Sequence, residues 1–275
     1  MHLVLNTVQL AKNIKEIDIS APEVAKHAKA GQFVILRVDD KGERIPLTLF
    51  DWDSKEGIIK LVFLEVGTST KKLGELKEGD EVRDILGPLG NPFPLKKYGR
   101  VACIGGGVGI AALYPIAKAL RKEGNEIFSI IGARSSDFLI LEKEMRSLAH
   151  ELIVYTDDGS YGKRGVVSDG VTSLLPYLNL VVAVGPVPMM RAIAELTKGK
   201  VPCIASLNPI MVDGTGMCGS CRVMVGGKVK FACVDGPDFN AHEVDFEDLA
   251  LRNRRYVEEE ALSLNYFMQK CQKHQ

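Results

Sequence analysis

A chain of 275 residues has room for one large domain or two ordinary ones, and 46% hydrophobic with 25% charged residues is too apolar for disorder. Lys+Arg and Asp+Glu both total 35, so there is no basic excess to neutralise phosphates, and no nucleic-acid partner is expected. The uncharged stretches 101–117 and 170–190 are broken by glycines and prolines, and the N-terminus lacks the basic flank and long apolar core of a signal peptide, so the chain is expected off the membrane, in the cytoplasm.

Residues 1–98 read as a small antiparallel β-barrel. Apolar runs at 33–38, 47–50 and 58–66 alternate with turn clusters at 30–31, 39–42, 53–57 and 78–80, the spacing of successive strands. A single helical pattern, 69–76, interrupts them. Arg44, Pro46, Leu47 and Thr48 place a cation and a hydroxyl at a strand start. Gly67, Thr68, Ser69 and Thr70 open the helical stretch, where backbone N–H groups and hydroxyls suit either a phosphate or an ordinary N-cap.

Residues 99–203 change character. Apolar strands at 101–104, 126–131, 151–155 and 180–184 alternate with helical patterns at 111–123, 139–149 and 166–174, which predicts a parallel sheet covered on both faces. The first strand runs into Gly105, Gly106, Gly107, Val108 and Gly109 before a helix. Such a turn lets the backbone approach a pyrophosphate while helix N-terminal amides stabilise its charge. The string is not the GxGxxG fingerprint, and alone it reads equally as a tight turn. Three later strand ends carry Ala133 with Arg134, Asp157 with Asp158, and Gly185 with Pro186 and Met189. Ligands of such sheets lie at the carboxyl ends of strands, so this convergence predicts a nucleotide site. Asp157 and Asp158 suit ribose hydroxyls there, and Arg134 a phosphate or an adenine ring.

Residues 204–275 hold a glycine- and cysteine-rich segment and a charged helical tail from 246, a solvated face or a docking element. Of the cysteines at 103, 203, 218, 221, 233 and 271, three cluster, which in a cytoplasmic chain points to metal or redox chemistry. Asp213, Cys218, Cys221 and Cys233 reproduce the plant-type [2Fe–2S] spacing with aspartate in the first position. Structural zinc is the alternative, although such sites use Cys and His.

Barrel, glycine-rich α/β half and cysteine loop, in that order, resemble the ferredoxin–NADP reductase superfamily. More narrowly, the chain is similar to the iron–sulfur electron-transfer subunits of dihydroorotate dehydrogenase and to the small subunits of NADH-dependent ferredoxin:NADP⁺ oxidoreductases, the electron-bifurcating transhydrogenases of sulfide dehydrogenase β-subunit type. The specific strings are 87–90 (GPLG), 105–110 (GGGVGI), 156–162 (TDDGSYG) and the Asp213/Cys218/Cys221/Cys233 set.

The resemblance implies a β plus α/β architecture: an antiparallel FAD-binding barrel, a parallel-sheet NAD(P)-binding domain and a small [2Fe–2S] lobe. It implies FAD on Arg44, Pro46, Leu47, Thr48 and residues 67–70, and NAD(H) as substrate on the α/β half, with NADP(H) open. It also implies a cluster on the four spaced ligands. The activity implied is that of an NAD(P)H-linked oxidoreductase subunit with flavin-mediated catalysis, paired in a heterodimer with a larger flavin- and iron–sulfur-containing subunit through which ferredoxin is reached. Pro46 stands in place of the superfamily's tyrosine, and Val184 in place of a cysteine, so no thiol is expected to assist the nicotinamide. An electron-transfer subunit of dihydroorotate dehydrogenase and a zinc-stabilised binding module without turnover are the alternatives.

Overall fold

The computed structural model describes residues 1–273, with side chains as far as Gln269; residues 274–275 and the side chain of Cys271 lie outside the described residues. Period-two burial builds the N-terminal sheet. Ile17 and Ile19 of the strand Ile14–Ser20 and Ile59, Leu61 and Phe63 of Ile58–Leu64 point into one core with Val34, Leu36 and Leu49. Seven antiparallel strands follow in the order Glu81–Val82, His2–Ala11, Ile14–Ser20, Ile58–Leu64, Arg44–Asp53, Phe33–Arg37 and Asp84–Leu89. Only Arg83 separates the two edge strands in sequence, and register shifts at Val4/Asn6, Phe33/Ile35 and Leu49/Asp51 bend the sheet until it nearly closes. The expected barrel is present.

The expected helix appears as Thr68–Glu75, but it is not alone, because Pro22–His27 is also helical. Proline in its first turn is a start signal, yet six residues are too few to show a helical period.

The second sheet runs in the order Lys163–Arg164, Glu151–Thr156, Glu126–Ala133, Arg100–Gly106, Leu180–Val184, Cys203–Ser206 and Asp238–Asn240, parallel except for the last strand. Val101 and Cys103 face the helices Gly109–Lys122 and Glu142–Leu148, whereas Ala102 and Ile104 face Val167–Val171 and Val187–Thr197. Burial on both faces is why these strands read as continuous apolar runs. The helix Val187–Thr197 escapes the sequence reading because Pro186 and Pro188 flank its start, although proline there is compatible with a first turn. The expected helix at 166–174 shortens to Val167–Val171, and Pro176 sits in a separate 3₁₀ turn, Leu175–Tyr177.

Chain order places the switch point of this sheet between Arg100–Gly106 and Leu180–Val184, where a crevice opens at the strand ends. The helix Gly109–Lys122 docks on the barrel through Phe50 and Tyr114, whose rings are 5.2 Å apart, and through Lys118 to Asp51 at 3.1 Å. The strand Cys203–Ser206 straddles the expected boundary at residue 203, and Asp238–Asn240 returns the chain from the cysteine loop into the same sheet. The tail forms two helices, Phe246–Arg252 and Val257–Lys273, the second reaching the barrel helix Thr68–Glu75 with Ser263 Oγ 2.9 Å from Thr68 Oγ1. Among the described residues no helix is long and apolar enough to cross a membrane.

Candidate functional site

A cavity of about 980 Å³ opens where barrel, parallel sheet and cysteine-rich segment meet. The barrel contributes Pro46, Leu47, Thr48 and Thr70. The strand ends of the parallel sheet contribute Gly106, Gly107, Val108, Gly109, Ala133, Arg134, Asp157, Gly185, Pro186 and Met189, and the C-terminal segment adds Leu207, Met211 and Pro237. Its size lies at the upper end of small-molecule pockets.

Local chemistry explains the glycine turn. Gly107 adopts φ +55°, a left-handed conformation that favours glycine, and a Cβ there would point into open space. Gly106 and Gly109 are packed instead: a Cβ on the first would lie 2.5 Å from Met189 Sδ, and on the second 2.6 Å from the Val184 carbonyl oxygen. The helix that follows has no side-chain cap; its Ile110 and Ala111 N–H groups donate to the Gly107 and Val108 carbonyls at 3.2 and 3.0 Å, which leaves the N–H groups of Val108 and Gly109 available to a pyrophosphate. At the next strand end the Arg134 guanidinium lies 5.0 Å from the centroid of the Phe138 ring, a stacking surface on the cavity wall.

Six of the residues expected for FAD or the dinucleotide lie off the wall, Arg44, Gly67, Thr68, Ser69, Gly105 and Asp158, as do the four expected cluster ligands Asp213, Cys218, Cys221 and Cys233. Gly105 is occupied by packing, with Ile110 and Leu113 against the position of its missing Cβ. Asp158 turns back to accept the Ser160 N–H at 2.9 Å, and its hydrogen bonds with Ser160 hold its carboxyl below the usual range. Thr68 is turned to Ser263, while Thr70 Oγ1 accepts the Val66 and Gly67 N–H groups, both at 3.1 Å, and fixes the loop. Sequence reasoning missed Phe138 and Tyr155 on the wall. Tyr155 stands at a strand carboxyl end, so the rule that located Asp157 also pointed to it; Phe138 carried no such signal.

In the cysteine loop, Gly214, Gly216 and Gly219 have φ of +74°, +87° and +67°, left-handed conformations that favour glycine. Asp213 Oδ1 accepts the Thr215 N–H at 2.7 Å and Oδ2 the Cys218 N–H at 2.6 Å; the Thr215 bond chiefly holds this carboxyl below its ordinary range. Partial burial pushes the exposed Cys218 thiol up, but hydrogen bonds from Ser220, whose N–H lies 3.5 Å from the sulfur, and from the Asp213 backbone together outweigh it and the net shift is down. Cys221 and Cys233 are buried with sulfurs 3.2 Å apart, and burial followed by the neighbouring Cys221 pushes Cys233 up to about 12. Among the described residues the four side chains are not drawn into a closed cage. Three thiols and a carboxylate on an amide-lined loop are nevertheless the donor chemistry of an iron–sulfur cluster.

Two relatives decide the family. A protein of Thermotoga maritima described as a dihydroorotate dehydrogenase B (NAD(+)) electron transfer subunit homolog is 47% identical over 268 residues, 96% of this chain and 95% of that one. The dihydroorotate dehydrogenase B (NAD(+)) electron transfer subunit of Geobacillus thermodenitrificans is 35% identical over 88% of this chain and 96% of its own length. The chain belongs to the dihydroorotate dehydrogenase B electron-transfer-subunit family.

Residues 208–245 of this family member match the iron–sulfur cluster binding domain of dihydroorotate dehydrogenase B, a span that contains Asp213, Cys218, Cys221 and Cys233. A solved NADH-dependent reduced ferredoxin–NADP oxidoreductase, described for flavin-based electron bifurcation, is 46% identical with a TM-score of 0.92 and 98% of each chain covered. Phthalate dioxygenase reductase, at 18% identity and a TM-score of 0.60 over 82% of this chain and 86% of that one, shares the fold.

One further group of this electron-transfer-subunit homologue is unusual. Both carboxylate oxygens of Asp238 are buried, and neither has a hydrogen-bond partner in good geometry among the described residues, although the Ser206 hydroxyl is close enough to act on them. Burial pushes this carboxyl up to about 7, opposed by the neighbouring Ser206 hydroxyl. An acid raised in the folded state destabilises it once ionised. Stability is therefore full below the unfolded value of roughly 4, falls as pH rises through about 7, and then levels off. We expect Asp238→Asn to match the wild type near pH 4 and to gain on it by up to ~4 kcal/mol by about pH 8. Thermal unfolding across that range measures the difference, and a gap that does not widen with pH contradicts the ionisation.

Proposed function

We propose that the chain is the electron-transfer subunit of a bifurcating NADH-dependent ferredoxin–NADP oxidoreductase. It exchanges hydride between NAD(H) and FAD, and single electrons between FAD and a [2Fe–2S] cluster. The cluster leads to a larger flavin- and iron–sulfur-containing partner in a cytoplasmic heterodimer, and ferredoxin is reached through that partner. The observation that carries this reading is the single cavity walled by the barrel strand, the glycine turn and the cysteine-rich segment together. The 46% identical oxidoreductase structure supports it.

The division of labour follows the three walls, with residues 1–98 serving FAD, 99–203 the nicotinamide dinucleotide and 204–275 the cluster. When bound, FAD supplies the conversion between two-electron hydride chemistry and one-electron transfer. Leu47 and Thr48 would hold the flavin ring, and the loop fixed by Thr70 would serve its pyrophosphate. The Gly107 N–H donates to the Gly132 carbonyl at 2.8 Å, so the N–H groups of Val108 and Gly109 would hold the dinucleotide pyrophosphate; Asp157 would accept from ribose hydroxyls, and Arg134 on Phe138 presents a charged plane. Pro186, Met189, Met211 and Pro237 exclude water. Asp213, Cys218, Cys221 and Cys233 ligate the cluster; each Asp213 oxygen that accepts one N–H keeps a lone pair for iron.

Protein purified without oxygen should show flavin and iron–sulfur absorbance that NADH bleaches. A colourless preparation, or one holding zinc instead of iron, overturns the reading. Arg44 shares a strand face with the wall residues Pro46 and Thr48, and its side chain is exposed. Arg44→Ala should lose a charge-assisted phosphate contact and weaken FAD binding about tenfold or more, with iron content unchanged. Equal flavin retention by the variant on dialysis removes Arg44 from the site.

A second reading, the electron-transfer subunit of dihydroorotate dehydrogenase, is favoured by the 35% identical relative that carries that description. Native co-purification separates the two: a larger flavin and iron–sulfur subunit supports the first, a dihydroorotate-oxidising subunit the second.

A further inference from the structure

We infer that Asp238 is a proton-holding residue coupled to the redox state of the flavin–cluster junction, binding a proton as an electron arrives there and releasing it as the electron leaves. This inference rests on the proposed function, and its basis is position. Asp238 pairs in register with Ser206, and both Ser206 and Pro237, the residue before Asp238, line the cavity. Cys233 lies five residues earlier, within the short helix Ala232–Asp235. From the barrel side Gly31 closes over the carboxyl, since a Cβ there would lie 2.8 Å from Asp238 Oδ2 and 2.9 Å from the Phe93 backbone nitrogen. The carboxyl thus sits where all three parts of the molecule touch.

Its lack of a charged partner or a well-formed hydrogen bond makes it responsive. Asp18 and Asp248 each leave one buried oxygen without a hydrogen bond, but Asp238 leaves both. Of the titratable groups on the elements packed around it, the Cys203 thiol is engaged with Thr197, and Asp235 accepts the Phe231 N–H at 2.7 Å and Lys230 at 3.3 Å. Only burial and the Ser206 hydroxyl bear on Asp238, with no cation holding it ionised. A unit negative charge roughly 10 Å away through partly polarisable protein changes proton affinity about tenfold. The step balances as a proton transfer: when one electron derived from NADH is held nearby, the Asp238 carboxylate takes one proton from hydronium, forming one O–H bond as one hydronium O–H bond breaks and water is left. Loss of that electron returns the proton to water.

The test is an electron-paramagnetic-resonance redox titration of the cluster in the holoprotein at several pH values from about 6 to about 8, with dithionite as reductant. We expect the wild-type reduction equilibrium to shift about tenfold across this range and that of Asp238→Asn to stay flat. Ser206→Ala, which keeps the carboxyl but removes the hydroxyl that lowers its pKa, should move the break to higher pH. This variant and the wild-type profile decide the matter even where Asp238→Asn fails to fold. Infrared titration of the oxidised holoprotein should show a protonated carboxyl stretch that is lost on raising pH and absent from Asp238→Asn. A wild-type equilibrium independent of pH, or an unchanged slope in Asp238→Asn, overturns the coupling while flavin and iron content stay normal. Absence of those cofactors overturns the proposed function itself.

Discussion

Gly107→Val lowers the rate of flavin reduction by NADH by about 100-fold, equivalent to ~2.7 kcal/mol, while flavin and iron contents stay at wild-type levels. The expectation follows from two properties of one residue. At φ +55° a β-branched side chain is strained by roughly 1–2 kcal/mol, which the fold tolerates. The added atoms then project into the open space at the uncapped end of Gly109–Lys122, where the proposed pyrophosphate lies. Gly109→Ala provides the contrast, because its Cβ would collide with the Val184 carbonyl oxygen at 2.6 Å and so should damage folding before it damages binding. Stopped-flow bleaching at varied NADH separates the two variants. Wild-type reduction rates in Gly107→Val refute this placement of the dinucleotide.

Cys221→Ser abolishes the cluster and, with it, one-electron output to an external acceptor, yet leaves reduction of the flavin by NADH intact. Cys221 is buried beside Cys233, so a hydroxyl there supplies a harder, poorer ligand on the inner side of the loop, where solvent does not substitute for it. Asp213→Ala should weaken the cluster, and Asp213→Cys should keep one with an altered spectrum. Cys203→Ser should change nothing, since Cys203 is buried in the strand Cys203–Ser206 beside Thr197, with burial pushing its thiol up to about 11. Iron analysis and visible spectra read all four. Should Cys203→Ser destroy the cluster while Asp213→Ala spares it, the fourth ligand is Cys203.

The features legible along the chain are those governed by neighbours in sequence. Period-two burial in residues such as Ile17 and Ile19, the all-apolar strand Leu180–Val184, the glycine turn before Gly109–Lys122 and the spacing of Asp213, Cys218 and Cys221 each report a local requirement of the backbone. Such requirements show in a single sequence because strand pleat, helix period and tight turns act over a few residues.

Contacts between distant residues decide the rest. Leu47, Gly107 and Met211 become walls of one cavity only after the helix Gly109–Lys122 packs on the barrel and the strand Asp238–Asn240 draws the cysteine segment into the parallel sheet. Gly105 and Gly107 look alike in the sequence, yet Ile110 and Leu113 fill the space beside one and leave the other open. Asp238 looks like any surface aspartate in a turn-rich stretch. Gly31 from the barrel, about three quarters of the chain away in sequence, is what takes water from its carboxyl, and desolvation set by tertiary packing leaves no trace in local pattern.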